Sequence, residues 1–328
     1  MRSRFFTILF LLLATSVPAL AQLSPGASWA AQVAAQYSTS ANVTYRNASN
    51  QQLKMDIYYR RGNTPQPTLV YMHGGFWVAG TKETAIMALM PWFEMGWNVV
   101  NVEYRLGAAT DLSTLAPAAV DDCFCALRFV ASLPTTFNID KNRLIVTGES
   151  AGGHLALSMG IIPESAGLGR DCAGFVLPSA GGRGAAAAPA GTSLAPLPKI
   201  AAVINWFGIT DVPDVIDGAN RQAAAARWFG DISAAPDLAR ALELARKVSP
   251  LTYVRAGLPP IITVHGDADR TVPYPEAVRL HEALAKVNVP NQLITIPNGG
   301  HGNFTAEERL KIYTTIREFL TKNGVLQK

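Results

Sequence analysis

From residue 68 onward, short apolar runs alternate with longer stretches in which apolar residues recur every three or four positions. The runs at 68–72, 99–103, 144–147, 200–207, 260–264 and 291–296 read as buried strands. The stretches at 83–95, 117–133, 151–162, 275–287 and 305–320 read as helices; within 117–133, Ala119, Cys123, Ala126, Leu127 and Val130 fall at helical spacing. Upstream, 42–45 and 53–59 flank a polar N-A-S-N-Q-Q, and Leu53, Met55, Ile57 and Tyr59 alternate with polar neighbours, which predicts a β-hairpin. Strands and helices alternate without an internal repeat. The expected fold is α/β, doubly wound around a mostly parallel sheet.

Three segments fall outside that rhythm. Residues 1–21 begin with Arg2 and Arg4, continue through an apolar stretch at 5–14, and end in Ala19-Leu20-Ala21, the form of a cleaved signal peptide. The expected mature chain starts at Gln22 and is exported, to the periplasm or beyond. Residues 22–40 read as an Ala/Ser-rich arm, helical or loose, ahead of a main domain at 41–328. Within that domain, 164–199 is rich in Ala, Gly and Pro and reads as a mobile surface excursion that buries little. Residues 211–249 read as a helical excursion carrying Trp228 and Phe229, expected to line a substrate pocket.

Composition narrows the partners. The chain has 328 residues, 49% hydrophobic and 16% charged, which supplies a large core. The formal charge is only +4 and no Lys/Arg-rich run occurs, so a nucleic-acid partner is not expected. No run after the signal is long and apolar enough to span a bilayer. Export permits disulfides, and of Cys123, Cys125 and Cys172 at most one pair can form within the chain. Cys123 and Cys125 point in different directions on a helix, so only one of them can pair with Cys172; the expected pair is Cys125–Cys172, with Cys123–Cys172 and no disulfide as the alternatives. No Cys/His spacing suggests a metal site, and no cofactor is implied.

The chemistry concentrates at L-I-V-T-G-E-S-A-G-G-H, residues 144–154. A strand, a G-x-S-x-G turn and a helix in succession force the serine into a strained backbone conformation that lifts its hydroxyl above the sheet edge. Ser150 is the expected nucleophile, placed at a helix N-terminus that favours developing negative charge. After the strand at 68–72 comes His73-Gly74-Gly75-Phe76-Trp77, a glycine turn able to aim backbone N–H groups at an oxyanion. A serine nucleophile also needs a base and an acid that orients it, which this architecture delivers in the chain order Ser, Asp/Glu, His on loops after strands. Of five histidines, His73 belongs to the glycine turn, His154 to the elbow helix, His265 to a strand end and His281 to a surface-like helix. His301, in the loop N-G-G-H-G after the last strand, is the expected base. Asp269 is the expected acid; Asp267 is the alternative, read instead as capping its turn. Asp121 and Asp122 open the helix at 117–133, and Arg105 is expected to pair with one of them as structural support.

Taken together, H-G-G-F-W, E-Y-R-L, G-E-S-A-G-G, H-G-D-A-D-R-T-V-P and G-G-H-G resemble the α/β-hydrolase superfamily, and most closely bacterial esterases of the hormone-sensitive-lipase-like and BD-FAE (feruloyl esterase-like) groups. The resemblance covers about 42–320. It implies an α/β-hydrolase fold, a triad of Ser150, Asp269 and His301, and oxyanion donors from Gly75, Phe76 and Ala151 with Gly74 shaping the loop. Phe76 stands where relatives often carry a third glycine, and its side chain narrows the loop. Glu149 stands where many carry Asp, and is read as structural. The expectation is a carboxylesterase for short or medium acyl, or small aryl-acyl, esters. A peptidase of the prolyl oligopeptidase type is the first alternative, but no G-x-S-Y-G-G elbow is present. A non-catalytic hydrolase-fold binding protein is the second, although neither triad nor oxyanion loop is broken.

Overall fold

The computed structural model describes residues 23–108, 115–173, 175–178, 185–187, 194–230, 232 and 235–327. The expected signal peptide therefore lies outside the described residues, as do 179–184 and 188–193 of the Ala/Gly/Pro-rich stretch. The chain divides into two compact units, Met1–Gln36 and Tyr37–Lys328. In the first, α1 (Pro25–Gln36) has no buried residue.

The second unit is built on an eight-stranded sheet in the order β1-β2-β4-β3-β5-β8-β9-β10. It begins with β1 (Tyr37–Ala48) and β2 (Gln51–Arg60), the expected hairpin. Its turn residues Ser49 and Asn50 have φ of 49° and 57°, the left-handed pair that suits the right-handed twist of a tight hairpin. The first strand starts earlier than the sequence suggests, because Tyr37 to Ser40 pair with Arg60 to Ile57 across an otherwise polar edge. Strand β2 pairs antiparallel with β4 (Asn98–Val102). From there the sheet is parallel: β3 (Gln66–Met72), β5 (Ile139–Glu149), β8 (Ile200–Trp206), β9 (Ile261–Gly266) and β10 (Asn291–Ile296). Residues 164–199 contribute a small antiparallel pair, β6 (Val176–Pro178) and β7 (Ala185–Ala187).

Helices cover both faces, which is why the central strands read as nearly continuous apolar runs. Val70, Met72, Val100, Val102, Leu144, Val146 and Val203 join one large core with α3 (Ala118–Ser132) and α4 (Ala151–Ile161). Their neighbours Leu69, Val99, Ile145, Ile204 and Ile262 are equally buried but point to the other side of the pleat. There α2 (Ile86–Glu94) and α9 (Ala306–Lys322) meet through an edge-on contact of Trp92 with Tyr313. Helices α5 (Val212–Asp217), α6 (Ala223–Ala226) and α7 (Ala235–Lys247) form the excursion after β8, and α8 (Pro275–Lys286) joins β9 to β10.

Two expectations are corrected. The stretch at 164–199 does bury apolar surface: Leu168 is 2% and Phe175 5% exposed, and Phe175 packs on Phe129. Cys172 forms the disulfide with Cys125, tying this segment to α3, while Cys123 stays free and buried. His281 is on the buried side of its helix, its Nδ1 2.8 Å from Asn291 Oδ1.

Arg105 pairs with Asp122, as one of the two expected partners. Its Nε and Nη2 each lie 2.9 Å from a different oxygen of that carboxylate, and Arg46 reaches the same group at 2.6 Å. Asp122 is fully buried, so this is a pinned joint between the hairpin, the loop after β4 and α3.

Candidate active site

The site lies at the carboxyl ends of β3 and β5, where the topology reverses. The chain leaves β3 toward β4 on one side and leaves β5 toward β8 on the other, so the two following loops part and open a crevice. The Gly74–Phe76 turn comes from one strand and Ser150 from the other.

Ser150 has φ 56° and ψ −119°, a strained conformation for a residue with a side chain. The turn that imposes it depends on two glycines. A Cβ on Gly148 would lie 2.4 Å from the Gly152 carbonyl oxygen, and a Cβ on Gly152 would lie 2.1 Å from that of Met72. Ala151 opens α4 immediately after, so its N–H has no acceptor within the helix.

Across the crevice, Gly75, Phe76 and Trp77 have φ of 125°, 52° and 60°. Val78 and Ala79 donate back to the Gly75 carbonyl and close the turn. Among the described residues, nothing accepts from the N–H of Gly75 or Phe76. Gly74 lies against the elbow: a Cβ there would be 3.0 Å from the Glu149 carbonyl and 3.5 Å from Ser150 Cβ. His73 is structural, as expected. Its Nδ1 lies 2.7 Å from the Gly74 carbonyl, its ring stacks on Tyr104, and burial lowers its pKa.

The loops after β9 and β10 bring the other pair. His301 Nδ1 is 2.7 Å from Asp269 Oδ2. The second oxygen of Asp269 accepts from the N–H groups of Thr271 and Val272 at 2.8 and 3.0 Å. Burial works to raise this carboxyl, but hydrogen bonds from His265 and His301, the charge on His301 and the Val272 N–H outweigh it and hold the group well below the usual carboxylate range. Asp267 is exposed and accepts from the backbone N–H of Asn298, so it fastens one loop to the next. Phe207, just past β8, sets its ring edge-on to His301 at 4.6 Å.

Gly74, Gly75, Phe76, Ser150 and His301 line one cleft of about 350 Å³. Sequence reasoning missed part of its wall. Phe207, Gly302, Arg309 and Glu149 also line it. Glu149 is therefore a cleft residue as well as a turn residue; burial raises its carboxyl pKa, opposed by the charges of Arg309 and His301. Arg309 arrives on the first turn of α9 and donates to the Gly302 carbonyl at 2.8 Å. The expected role of 211–249 is also corrected: none of its described residues lines this cleft, and Trp228 instead stacks behind the glycine turn on Trp77. Among the described residues no His/Cys/Asp/Glu group is arranged to hold a metal, and no helix is long and apolar enough to cross a membrane.

This sheet, with a strained serine at the turn after β5 and a histidine loop after its last strand, defines an α/β-hydrolase fold. The BD-FAE family profile matches residues 55–284, and the chain belongs to that family. It is 23% identical over 252 residues to esterase LipC of Mycobacterium tuberculosis, covering 76% of this chain and 56% of LipC, so it spans little more than half of that relative. Carboxylesterase NlhH of the same species is 35% identical over 103 residues, 31% of each chain. Among solved structures, an esterase from the planctomycete Thermogutta terrifontis matches with a TM-score of 0.65 at 24% identity, covering 88% of this chain and 94% of that one. A truncated carbohydrate esterase from gut microbiota matches equally, with a TM-score of 0.65 at 24% identity over 87% and 97% of the two chains. These two structural likenesses speak to the fold.

Proposed function

We propose that the chain is an exported serine carboxylesterase that cleaves short or medium acyl, or small aryl-acyl, esters through an acyl-enzyme on Ser150. The observation that carries the reading is the convergence on one cleft of a strained serine, a histidine braced by a buried carboxylate, and backbone N–H groups left without acceptors.

The steps follow from the donors and acceptors. Asp269 Oδ2 accepts from His301 Nδ1–H, which leaves Nε2 bare and able to accept the Ser150 proton. Ser150 Oγ attacks the ester carbonyl carbon, and the carbonyl electron pair moves onto oxygen. That oxyanion accepts from the N–H groups of Gly75, Phe76 and Ala151, which cost no reorganisation when the charge appears. The intermediate collapses, the bond to the alcohol oxygen breaks, and His301 protonates the leaving alcohol. Water then gives a proton to His301 and attacks the acyl carbon; as the second tetrahedral intermediate collapses, the bond to Ser150 Oγ breaks, His301 returns the proton to Oγ, and the acid leaves. Ser150 and His301 share the cleft wall without a hydrogen bond between them; such contacts often tighten only when substrate binds.

Similarity supports the same reading, since the relatives above carry the names esterase and carboxylesterase. Thermogutta terrifontis esterase 2 is phosphorylated by paraoxon, which makes that reagent a suitable probe for Ser150 here. The small cleft, with Phe76 and Phe207 in its wall, supports short acyl groups. The Cys125–Cys172 disulfide supports an oxidising compartment, and cell fractionation with mapping of the mature N-terminus tests export.

The test of activity is hydrolysis of p-nitrophenyl esters from acetate to palmitate by wild type and Ser150→Ala, with paraoxon labelling followed by mass spectrometry. Activity peaking at short chains, lost in the variant, with paraoxon on Ser150, is the expected result. Wild type and variant equally inactive on every ester would sink the reading and turn attention to peptides and to non-catalytic binding.

A further inference from the structure

We propose that His154 and Trp77 form a brace holding the oxyanion loop in its donor-bearing shape, and are positioning residues for the ester cleavage proposed above, on which this inference rests.

The loop needs a brace. Phe76 and Trp77 are consecutive residues with side chains in the left-handed region, a conformation that survives only where the surroundings over-determine it. Phe76 contributes one of the N–H groups aimed at the oxyanion. That N–H lies in the peptide joining Gly75 to Phe76, so its aim depends on the Phe76 Cα being held from the other side as well; Trp77 does this, and is itself anchored from several sides. It is fully buried. Its carbonyl accepts from Gly107 N–H at 2.7 Å. Its indole stacks on Trp228 with ring centroids 4.3 Å apart and planes 12° from parallel. Its Nε1–H donates to His154 Nδ1 at 3.0 Å.

His154 can accept that bond for a definite reason. Its Nε2 lies 2.7 Å from the Val248 carbonyl, which can only accept, so Nε2 carries the proton and Nδ1 is left bare. The Ser158 hydroxyl, 3.4 Å from the same Nε2, is too far to displace the carbonyl. His154 also lies one turn beyond the nucleophile, its backbone N–H bonded to the Ser150 carbonyl at 3.0 Å. One imidazole thus joins the oxyanion loop, the helix that starts at the nucleophile, and the chain just beyond α7. Neither side chain lines the cleft, so the pair acts through Phe76 rather than by touching substrate.

A buried Trp–His contact could equally serve packing alone, so the test must read catalysis apart from stability. Trp77→Phe keeps an aromatic ring on Trp228 and deletes the donor. His154→Phe deletes the acceptor. His154→Asn places a side-chain oxygen close to where Nδ1 stood, restoring acceptance from Trp77 without reaching Val248. For each variant, kcat and KM on p-nitrophenyl acetate and the Ki of a boronic acid, whose serine adduct is tetrahedral and anionic, are measured well below its melting temperature. Losing a whole oxyanion donor costs on the order of 10²–10³ in rate, so misaiming one should lower kcat by about 10–100-fold with KM changed by less than about 3-fold. Boronate affinity should fall in parallel, His154→Asn should recover most of the rate, and Trp77→Phe/His154→Phe should be no worse than the poorer single variant. Trp77→Phe with a lowered melting temperature but wild-type kcat and boronate affinity overturns the brace while leaving the esterase reading intact. An inactive wild type overturns that reading itself. If His154→Phe does not fold, Trp77→Phe still decides the matter.

Discussion

Gly152 sits directly beneath Met72: a Cβ on the glycine would come within 2.1 Å of the methionine carbonyl oxygen. That approach lets α4 start tight against β3, which places Ser150 beside the loop that carries the oxyanion donors. The same substitution would bring a methyl group 2.7 Å from the His73 carbonyl, so the clash is with backbone on two residues that cannot rotate away. Gly152→Ala is expected to destabilise the protein by at least about 3 kcal/mol or to prevent folding. Urea denaturation measures it. A loss under about 1 kcal/mol would show that α4 can shift, and that the elbow is less constrained than its contacts indicate.

The sequence made these local devices legible because each is written within a few residues: glycines at fixed offsets, a strand before, a helix after. All the parallel strands and the order of the site loops follow from hydrophobic runs and turn chemistry in the same way. What escaped was whatever depends on distant pairing. Tyr37 to Ser40 carry a weak strand signal and are held by partners around Arg60. The polar residues Asp140 to Asn142 look like a loop, yet lie within β5. Arg309 carries no local mark of a cleft residue; it reaches the site because α9 begins just after the histidine loop and its guanidinium meets the Gly302 carbonyl. An aromatic residue on an excursion, such as Trp228, carries no local mark that separates a pocket wall from the core; here its flat face is taken by Trp77.

The two acidic residues of the H-G-D-A-D loop should separate cleanly. Asp269 holds His301 and is itself held by two backbone N–H groups, while Asp267 is exposed and its carboxylate accepts from the Asn298 N–H. Asp269→Asn keeps the shape but presents an amide to Nδ1 and favours the wrong tautomer, so kcat should fall by about 10³–10⁴. Asp267→Asn should leave kcat within about 3-fold, since it removes charge far more than geometry. Steady-state kinetics on one p-nitrophenyl ester compares them, and equal effects would mean that the acid has been misassigned.

Asp122 answers two guanidinium groups in a fully buried position. Removing only the carboxylate leaves Arg46 and Arg105 buried without their counter-charge, a worse state than never having had the pair. Asp122→Ala is expected to lose about 3–5 kcal/mol in chemical denaturation. The active-site residues are elsewhere, so kcat per folded molecule should be unchanged; a loss of kcat without a loss of stability would contradict a purely structural joint.

The Cys125–Cys172 bond closes a loop with a sequence separation of 47. Loop-closure entropy for such a length gives an upper figure near 4 kcal/mol, and about 2–4 kcal/mol is the expected loss when both residues are changed to Ser. Because Cys123 is free but buried, the native protein should take up one thiol reagent only after unfolding. Rapid labelling of the native protein by Ellman's reagent would show that α3 opens readily.

Acid should weaken the protein through His154 before it protonates the low-pKa carboxylates. Burial lowers the His154 pKa to about 4, opposed by its bond to the Val248 carbonyl, against an ordinary value near 6.5 in the unfolded chain. Between those values the unfolded state binds a proton that the folded state refuses. Stability is then full above about pH 6.5, falls as pH drops toward about 4, and levels off below, with a total loss from this group of about 3 kcal/mol. His73 and His281 are also lowered by burial and add losses of the same sign. Asp269, held low, keeps its contribution across that window and loses it progressively below about pH 4, where the unfolded chain's carboxyl begins to bind a proton that the folded one refuses. His154→Asn has no proton to take up. Its denaturation free energy should start lower at pH 7, where the bond to Val248 is missing, and then decline less steeply between pH 6.5 and 4 than that of wild type. Parallel wild-type and variant curves would mean that folding does not lower the His154 pKa, and that the buried imidazole takes up its proton as readily as the unfolded chain does.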